Sequence, residues 1–300
     1  MLVVRKLLLI IGFFLSTSAV AGVSAWVPFE HESGHIRVKV LVEGVEGWAI
    51  MDSGANINGI NQAFLEKHGI SPKQHRGKIK IQGVHGTQER TAYRDIQTEM
   101  FGQKLALDYV ELNFGGEDTA IILGSPVLEQ YVLQFDYPNS RMRFIDHDSI
   151  DMANVKNLPM RPRRGIGDPI VKVELNGETE VWLILDTGST SGVYLSREVA
   201  EKHDWLTKFP VVQGISRGVN TTGNVEMFRI PTLSFGPFEL ENVGITVPEA
   251  GVNAKFGEAE DELNTRIGSV RVDGLIGYDV LQHFILTIDY KFGRGHIYAE

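Results

Sequence analysis

One frame of residues occurs twice in this chain, and that duplication limits the folds open to it. Asp52-Ser53-Gly54 closes the apolar run Trp48-Ala49-Ile50-Met51, and Asp186-Thr187-Gly188 closes Trp182-Leu183-Ile184-Leu185. Val38-Lys39-Val40 begins 14 positions before Asp52, and Val171-Lys172-Val173 begins 15 before Asp186. Glu66-Lys67-His68 starts 14 after the first Asp, and Glu201-Lys202-His203 starts 15 after the second. Gln82-Gly83-Val84 is echoed by Gln213-Gly214-Ile215, and Ile122-Leu123-Gly124 by Leu275-Ile276-Gly277. Four residues beyond each of those last glycines stands a Leu (Leu128, Leu281), and twelve beyond stands Asp136-Tyr137 or Asp289-Tyr290. A single Asp-Ser/Thr-Gly fits any strand-to-turn exit. The ordered repeat around it predicts two homologous lobes.

Within each repeat the local signals are those of short strands. His35 to Val42 alternates apolar and polar, and Gly44 to Gly47 turns it back into the strand ending at Asp52. Asn176-Gly177 is the matching hairpin signal in the second repeat. Short helices are expected at Asn61–His68 and Ser196–His203, with Ser196 as a cap, and one more after each of Gly124 and Gly277. The fold class is therefore mainly β, as two lobes with short helices. The expected domains are 26–150 and 168–300, joined by 151–167. That connection carries Pro159, Pro162, Gly165 and Gly167 with Arg161, Arg163 and Arg164, and reads as a solvated linker. The second repeat has its extra length between Val247 and Val272. That stretch includes Glu258, Glu260, Asp261 and Glu262 and reads as an exposed loop.

These motifs resemble those of the aspartic protease clan that includes retropepsins and pepsins. The closest likeness is to bacterial exported retropepsin-like proteins with two fused lobes. The pattern is Asp-Thr/Ser-Gly, a flap hairpin, then two apolar residues and a Gly behind the catalytic loop, and all three parts occur in both repeats. The resemblance implies two retropepsin-like β-barrel lobes related by a pseudo-twofold axis, with Asp52 and Asp186 as a catalytic pair. It implies that Ser53 and Thr187 bond across the lobes, with Gly54 and Gly188 completing the loops. Leu123, Gly124, Ile276 and Gly277 would back those loops. Candidate flap residues are Gly83, Val84 and Gly86 in the first lobe, and Gly214, Ile215 and Gly218 in the second. Two flaps match the retropepsin plan better than the single-flap pepsin plan. The expected activity is that of an aspartic endopeptidase on an extended peptide or protein substrate, with no cofactor or metal. A non-catalytic peptide-binding protein with the same fold is the alternative.

A second motif competes for attention. His31-Glu32-Ser33-Gly34-His35 satisfies the His-Glu-x-x-His zinc peptidase pattern letter for letter. That chemistry needs both imidazoles on one helix face. Gly34 and the strand alternation after it oppose a helix, so the zinc reading is set aside.

Composition bounds the rest. Arg5 and Lys6 precede an apolar run, Leu7 to Leu15, and Ala19-Val20-Ala21 offers a small-x-small cleavage site. Residues 1–25 therefore read as a signal peptide, cut after Ala21 or Ala25, for export to the periplasm or medium. An uncleaved membrane anchor over residues 3–25 is the alternative. The chain has no Cys, so its cores must hold it together without disulfides. Its formal charge of −9 becomes −11 once Arg5 and Lys6 are lost, which argues against nucleic acid and against an anionic membrane surface as partners. A monomer is expected, with a homodimer as the alternative.

Overall fold

The structure is a computed structural model that describes residues 22–32, 34–83, 86–162, 169–218, 222–252, 256 and 270–299. Residues 1–21 of the expected signal segment, the candidate flap residue Val84, residues 163–167 of the expected linker and the acidic stretch from Glu258 to Glu262 lie outside the described residues.

A short edge strand, β1 (Val27–Pro28), comes first. The first lobe is then built from β2 (Glu30–Glu32), β3 (His35–Val42), β4 (Val45–Met51), β5 (Gly59–Asn61), β6 (Gln74–Gly83), β7 (Gly86–Met100), β8 (Gln103–Leu112) and β9 (Thr119–Leu123). Two further strands, β10 (Val132–Asp136) and β11 (Arg141–Ile145), leave it. The second lobe runs through β12 (Met160–Pro162), β13 (Pro169–Leu175), β14 (Thr179–Leu185), β15 (Val193–Leu195), β16 (Val212–Arg217), β17 (Thr222–Phe235), β18 (Phe238–Pro248) and β19 (Gly274–Ile276), and ends in β20 (Ile285–Asp289) and β21 (Arg294–Tyr298). The sheet orders are β2-β3-β4-β9-β5-β8-β7-β6 and β12-β13-β14-β19-β15-β18-β17-β16. Each strand of one lobe thus has its counterpart in the other, and extra pairings β3–β7 and β13–β17 curl each sheet toward closure.

The sequence explains the local geometry. In β3 the residues Ile36, Val38, Val40 and Val42 all point inward while their neighbours are more exposed. The β3–β4 turn places Glu43 and Gly44 at φ 49° and 80°, and the β13–β14 turn places Asn176 and Gly177 at 55° and 62°. Two left-handed residues in a row make the turn whose twist matches the flanking strands. The helix Gln62–His68 begins where Asn61 accepts the Ala63 N–H, and it stops at left-handed Gly69. Short helices also follow Gly124 (Ser125–Leu128) and Gly277 (Tyr278–Leu281).

A third sheet, of order β1-β11-β10-β20-β21, joins the lobes. Its central antiparallel pair runs from Val132↔Asp289 to Asp136↔Ile285, with Gln134↔Thr287 in the middle. Those two residues occupy matching places in the repeat, so the pseudo-twofold axis passes between them. The Gln134 amide donates to Thr287 Oγ1 at 2.9 Å. Leu133, Phe135, Leu286 and Ile288 are fully buried in a core continuous with both lobes.

The connection between lobes is not a solvated tether over the part that is described. Met152 and Leu158 are buried, and the Asn157 side chain exchanges two hydrogen bonds with the Ile297 backbone, each 2.8 Å. Leu158 bridges Gly295 of β21, and Met152 packs against Val132 of β10 and Ile145 of β11. At the other edge, the Ser24 N–H donates to Phe144 O at 2.8 Å and Val23 bridges Ile145. Of the two expected cleavage points, the one after Ala21 leaves this edge intact.

Candidate active site

Each Asp reaches its place through the same crossed strands. β4 lies parallel to β9 with Met51 beside Leu123, and the Asp52 N–H donates to Leu123 O at 3.0 Å. β14 lies parallel to β19 with Leu185 beside Ile276, and the Asp186 N–H donates to Ile276 O at 3.0 Å. Leu123 and Ile276 are fully buried beneath the two loops. The glycines that follow them are needed for close approach. A Cβ at Gly124 would stand 2.3 Å from Ile57 O, and one at Gly277 would stand 2.7 Å from Ser189 O.

The loops are locked to one another across the axis. The Ser53 N–H donates to Thr187 Oγ1 at 3.0 Å, and the Thr187 N–H donates to Ser53 Oγ at 2.8 Å. The Ser53 hydroxyl donates to Leu185 O at 2.5 Å, and the Thr187 hydroxyl to Met51 O at 2.7 Å. Both side chains are buried, so each hydroxyl has its donor and acceptor roles filled inside the protein. Within each loop the Gly54 N–H donates to Asp52 Oδ1 at 2.9 Å and the Gly188 N–H to Asp186 Oδ1 at 2.8 Å.

The result is a pair of facing carboxyls. The side chains of Asp52 and Asp186 are hydrogen-bonded to one another. A Cβ on Gly54 would lie 2.6 Å from the Asp186 carboxyl carbon, and one on Gly188 would lie 2.3 Å from that of Asp52. Any side chain at either glycine would therefore force the carboxyls apart. Burial pushes the Asp52 carboxyl above the usual carboxylate range, against the opposing pull of its hydrogen bonds to Asp186, Gly54 and Ala55 and of the His35 charge. Two carboxyls in such contact hold one proton between them more readily than two negative charges. They sit in a cleft of about 1650 Å³ lined by both lobes, with apolar walls that include Ile50, Ile122, Ile184 and Leu275.

Residues 38–127 and 171–280, which contain these two loops, match the family model described as Aspartyl protease. The chain belongs to the aspartyl protease family. Among solved structures, one similar chain is the EIAV protease complexed with the inhibitor HBY-793. It is 18% identical, with a TM-score of 0.27, and the match covers 32% of this chain and 86% of that one. No curated protein matches this chain.

Two hairpins of this aspartyl protease flank the cleft. In lobe 1, β6 and β7 pair as far as Gly83↔Gly86, with Val84 outside the described residues. In lobe 2 the expected position is displaced. Gly214 and Ile215 lie within β16, opposite Val225 and Asn224, and pairing continues to Arg217↔Thr222. Gly218 directly follows β16, and residues 219–221 lie outside the described ones. The Gln-Gly-Val/Ile echo aligned the two glycines, but the strand register carries the second turn further along. Ile215, 72% exposed, lines the cleft together with Ser216, Arg217 and Gly218.

The His-Glu-x-x-His segment forms no helix. His31 and Glu32 are in β2 and His35 opens β3, with Glu32↔His35 paired across the hairpin. The His31 ring packs against Phe29 and Tyr278, with centroids 4.9 and 5.1 Å away. Among the described residues no group of three or more His, Cys, Asp or Glu is placed to hold a metal.

His35 is the site residue that the sequence analysis missed. It lines the cleft beside Asp52 and lies against the Gly188 backbone of the opposite loop. The signal for it was available. The β3–β4 register pairs Arg37 with Ile50 and Val38 with Ala49, and two steps further it sets His35 against Asp52. A hairpin count from Glu43-Gly44 gives the same placement without coordinates.

Proposed function

We propose that this chain is a single-chain aspartic endopeptidase in which Asp52 and Asp186 share the work of hydrolysis. The observation that carries the reading is the mutual hydrogen bond of the two carboxyls at the floor of a two-lobed cleft. An extended peptide lies between the lobes under the two hairpins. The ionised carboxyl takes a proton from a water held between the pair, and that water oxygen bonds to the scissile carbonyl carbon. The protonated carboxyl gives its proton to the carbonyl oxygen, yielding a neutral gem-diol. In the second half a proton passes to the amide nitrogen, the C–N bond breaks, and a carboxylic acid and an amine leave. No further group is needed for atoms or charge to balance. The substrate is a protein segment met outside the cytoplasm, a placement that rests on the export signal read in residues 1–25.

The test is cleavage of a proteome-derived peptide library. Asp52→Asn and Asp186→Asn should each abolish cleavage, and the double variant should be little worse than either, since each removes half of one unit. The rate needs one carboxyl protonated and one ionised, so its pH profile should be bell-shaped. Tight peptide binding without cleavage at any pH would instead make the protein a peptide-binding module.

A further inference from the structure

The active site is built from a repeat, yet one side chain breaks its symmetry. Asp52 and Asp186, Gly54 and Gly188, and Ser53 and Thr187 are exchanged by the pseudo-twofold axis. His35 has no twin. Counting back from Val38-Lys39-Val40 and Val171-Lys172-Val173, the matching sequence position in the second repeat is Asp168, which lies outside the described residues.

The surroundings of His35 define what it can do. The turn before it presses on the opposite lobe: a Cβ at Gly34 would stand 3.0 Å from Thr190 Cβ. The His35 ring lies at the Gly188 backbone, two residues after Asp186, with its Nδ1 buried, so a lobe 1 side chain abuts the lobe 2 loop. On its own hairpin, Glu32 faces it across the β2–β3 pair, but the Arg37 guanidinium pairs with Glu32 and Glu30 and offsets that charge. Just past the end of β4 stands Asp52, and across the axis the other charge is Asp186. Asp52 and Glu32 both act to keep a proton on the ring, while burial acts more strongly to remove it.

We propose that His35 is a positioning residue that makes the two carboxyls inequivalent: it anchors the Gly188 end of the opposite loop and, when charged, holds the negative charge on Asp52 and the shared proton on Asp186. The roles in hydrolysis then separate. Asp52 is the base that activates water, and Asp186 is the acid that protonates the carbonyl oxygen. This deepens the endopeptidase reading and rests on it for the assignment of roles, but not for the coupling between His35 and Asp52.

The charge has a consequence at one end of the pH profile only. A charged imidazole beside Asp52 makes that carboxyl easier to ionise. Activity thus persists to lower pH than the pair alone would allow. On the alkaline side, where the shared proton is lost, the ring is already neutral and has no charge to lend.

The experiment replaces His35 with Gln, which keeps a polar side chain against Gly188 and removes the charge, and separately with Ala, which removes both. In His35→Gln the acid limb of kcat/KM should move up by about one pH unit, with the alkaline limb unmoved. His35→Ala should show the same shift and also a lower kcat at the optimum, as the Gly188 anchor is lost. Thermal melting at each pH separates these effects from unfolding. A His35→Gln profile that superposes on that of the unaltered protein overturns the proposal, and so does an equal shift of both limbs. An independent arm needs no activity. The His35 ring is titrated by NMR in the full chain, its signal assigned by its loss in His35→Gln, and the titration is repeated in Asp52→Asn. Its midpoint should fall by about one unit when the Asp52 charge is removed, and an unchanged midpoint sinks the coupling. Failure of the unaltered protein to cleave any peptide, with the NMR shift present, would refute the peptidase reading and leave the coupling standing.

Discussion

At Asp52 the chain accepts a local cost. Its carboxyl is buried, and burial holds its folded-state pKa above the ordinary value of 3.8. The folded protein therefore binds that proton more tightly than the unfolded chain does. The stability this confers is complete below the ordinary value and is lost as pH rises through the folded-state pKa. An Asn at the same place carries no charge and loses nothing over that window. Asp52→Asn should accordingly melt together with the unaltered protein near pH 3 and above it at pH 7. Each kcal/mol recovered is worth about 2–4 °C in Tm for a chain of this order of size. Calorimetry at the two pH values checks this, and equal melting temperatures at pH 7 would mean that the carboxyl is not strained by burial. The hydroxyls of Ser53 and Thr187 act in the opposite sense. Each satisfies a backbone N–H and a carbonyl of the other lobe, which fixes the loops that hold the carboxyls in contact.

Among the elements, the lobe 2 hairpin of β16 and β17 carries apolar side chains that face the cleft instead of a core. Val212 and Ile215 are exposed on its outer strand, and both line the cleft. A side chain that contacts only substrate affects binding and not folding. Ile215→Ser should raise KM on the order of tenfold with kcat little changed. Its Tm should be that of the unaltered protein, as expected for an exposed substitution. A fall in Tm with no change in KM would place Ile215 in the packing of the lobe. Elements of this kind were only partly legible in the sequence. The β3–β4 and β13–β14 hairpins were, because alternation and a Gly or Asn-Gly turn determine both register and face within one short stretch. Of the second flap's expected residues, Gly214 and Ile215 fall within β16 and Gly218 just beyond it, because the place of the turn depends on the register of β16 against β17, which the Gln-Gly echo does not report. The motif letters present His35 only as a zinc ligand, and its place opposite Asp52 follows from the β3–β4 register instead. The 151–167 connection read as linker from its Pro, Gly and Arg content, yet its Leu158 is buried where it bridges Gly295 near the far end of the chain, and its Met152 is buried against Val132 and Ile145.

At the scale of the whole molecule, what joins the lobes is also what lay furthest from sequence. Val132–Asp136 and Ile285–Asp289 are five-residue runs, each with its hairpin partner close by, and nothing local says that they pair with one another. Once paired, they place residues of one repeat beside those of the other at the axis, directly in line with the loops of Ser53 and Thr187. One continuous core runs through both lobes and includes Leu133, Phe135, Leu286 and Ile288 of this sheet. Neither lobe buries its half of the joining sheet without the other, so the two should unfold together. Trp48 reports on lobe 1, where Arg37 and Lys39 lie over its ring, and Trp205 is fully buried in lobe 2. Variants that keep one of these two, with the other three Trp changed to Phe, should give coincident urea transitions. Leu133→Ala, which opens a cavity in the joining sheet, should lower both transitions equally, by about 2–5 kcal/mol. Separate midpoints for Trp48 and Trp205, or a loss confined to one of them, would show two lobes that fold independently and merely dock. The carboxyl pair would then be assembled by docking, and its activity would be lost at lower urea than either lobe's structure.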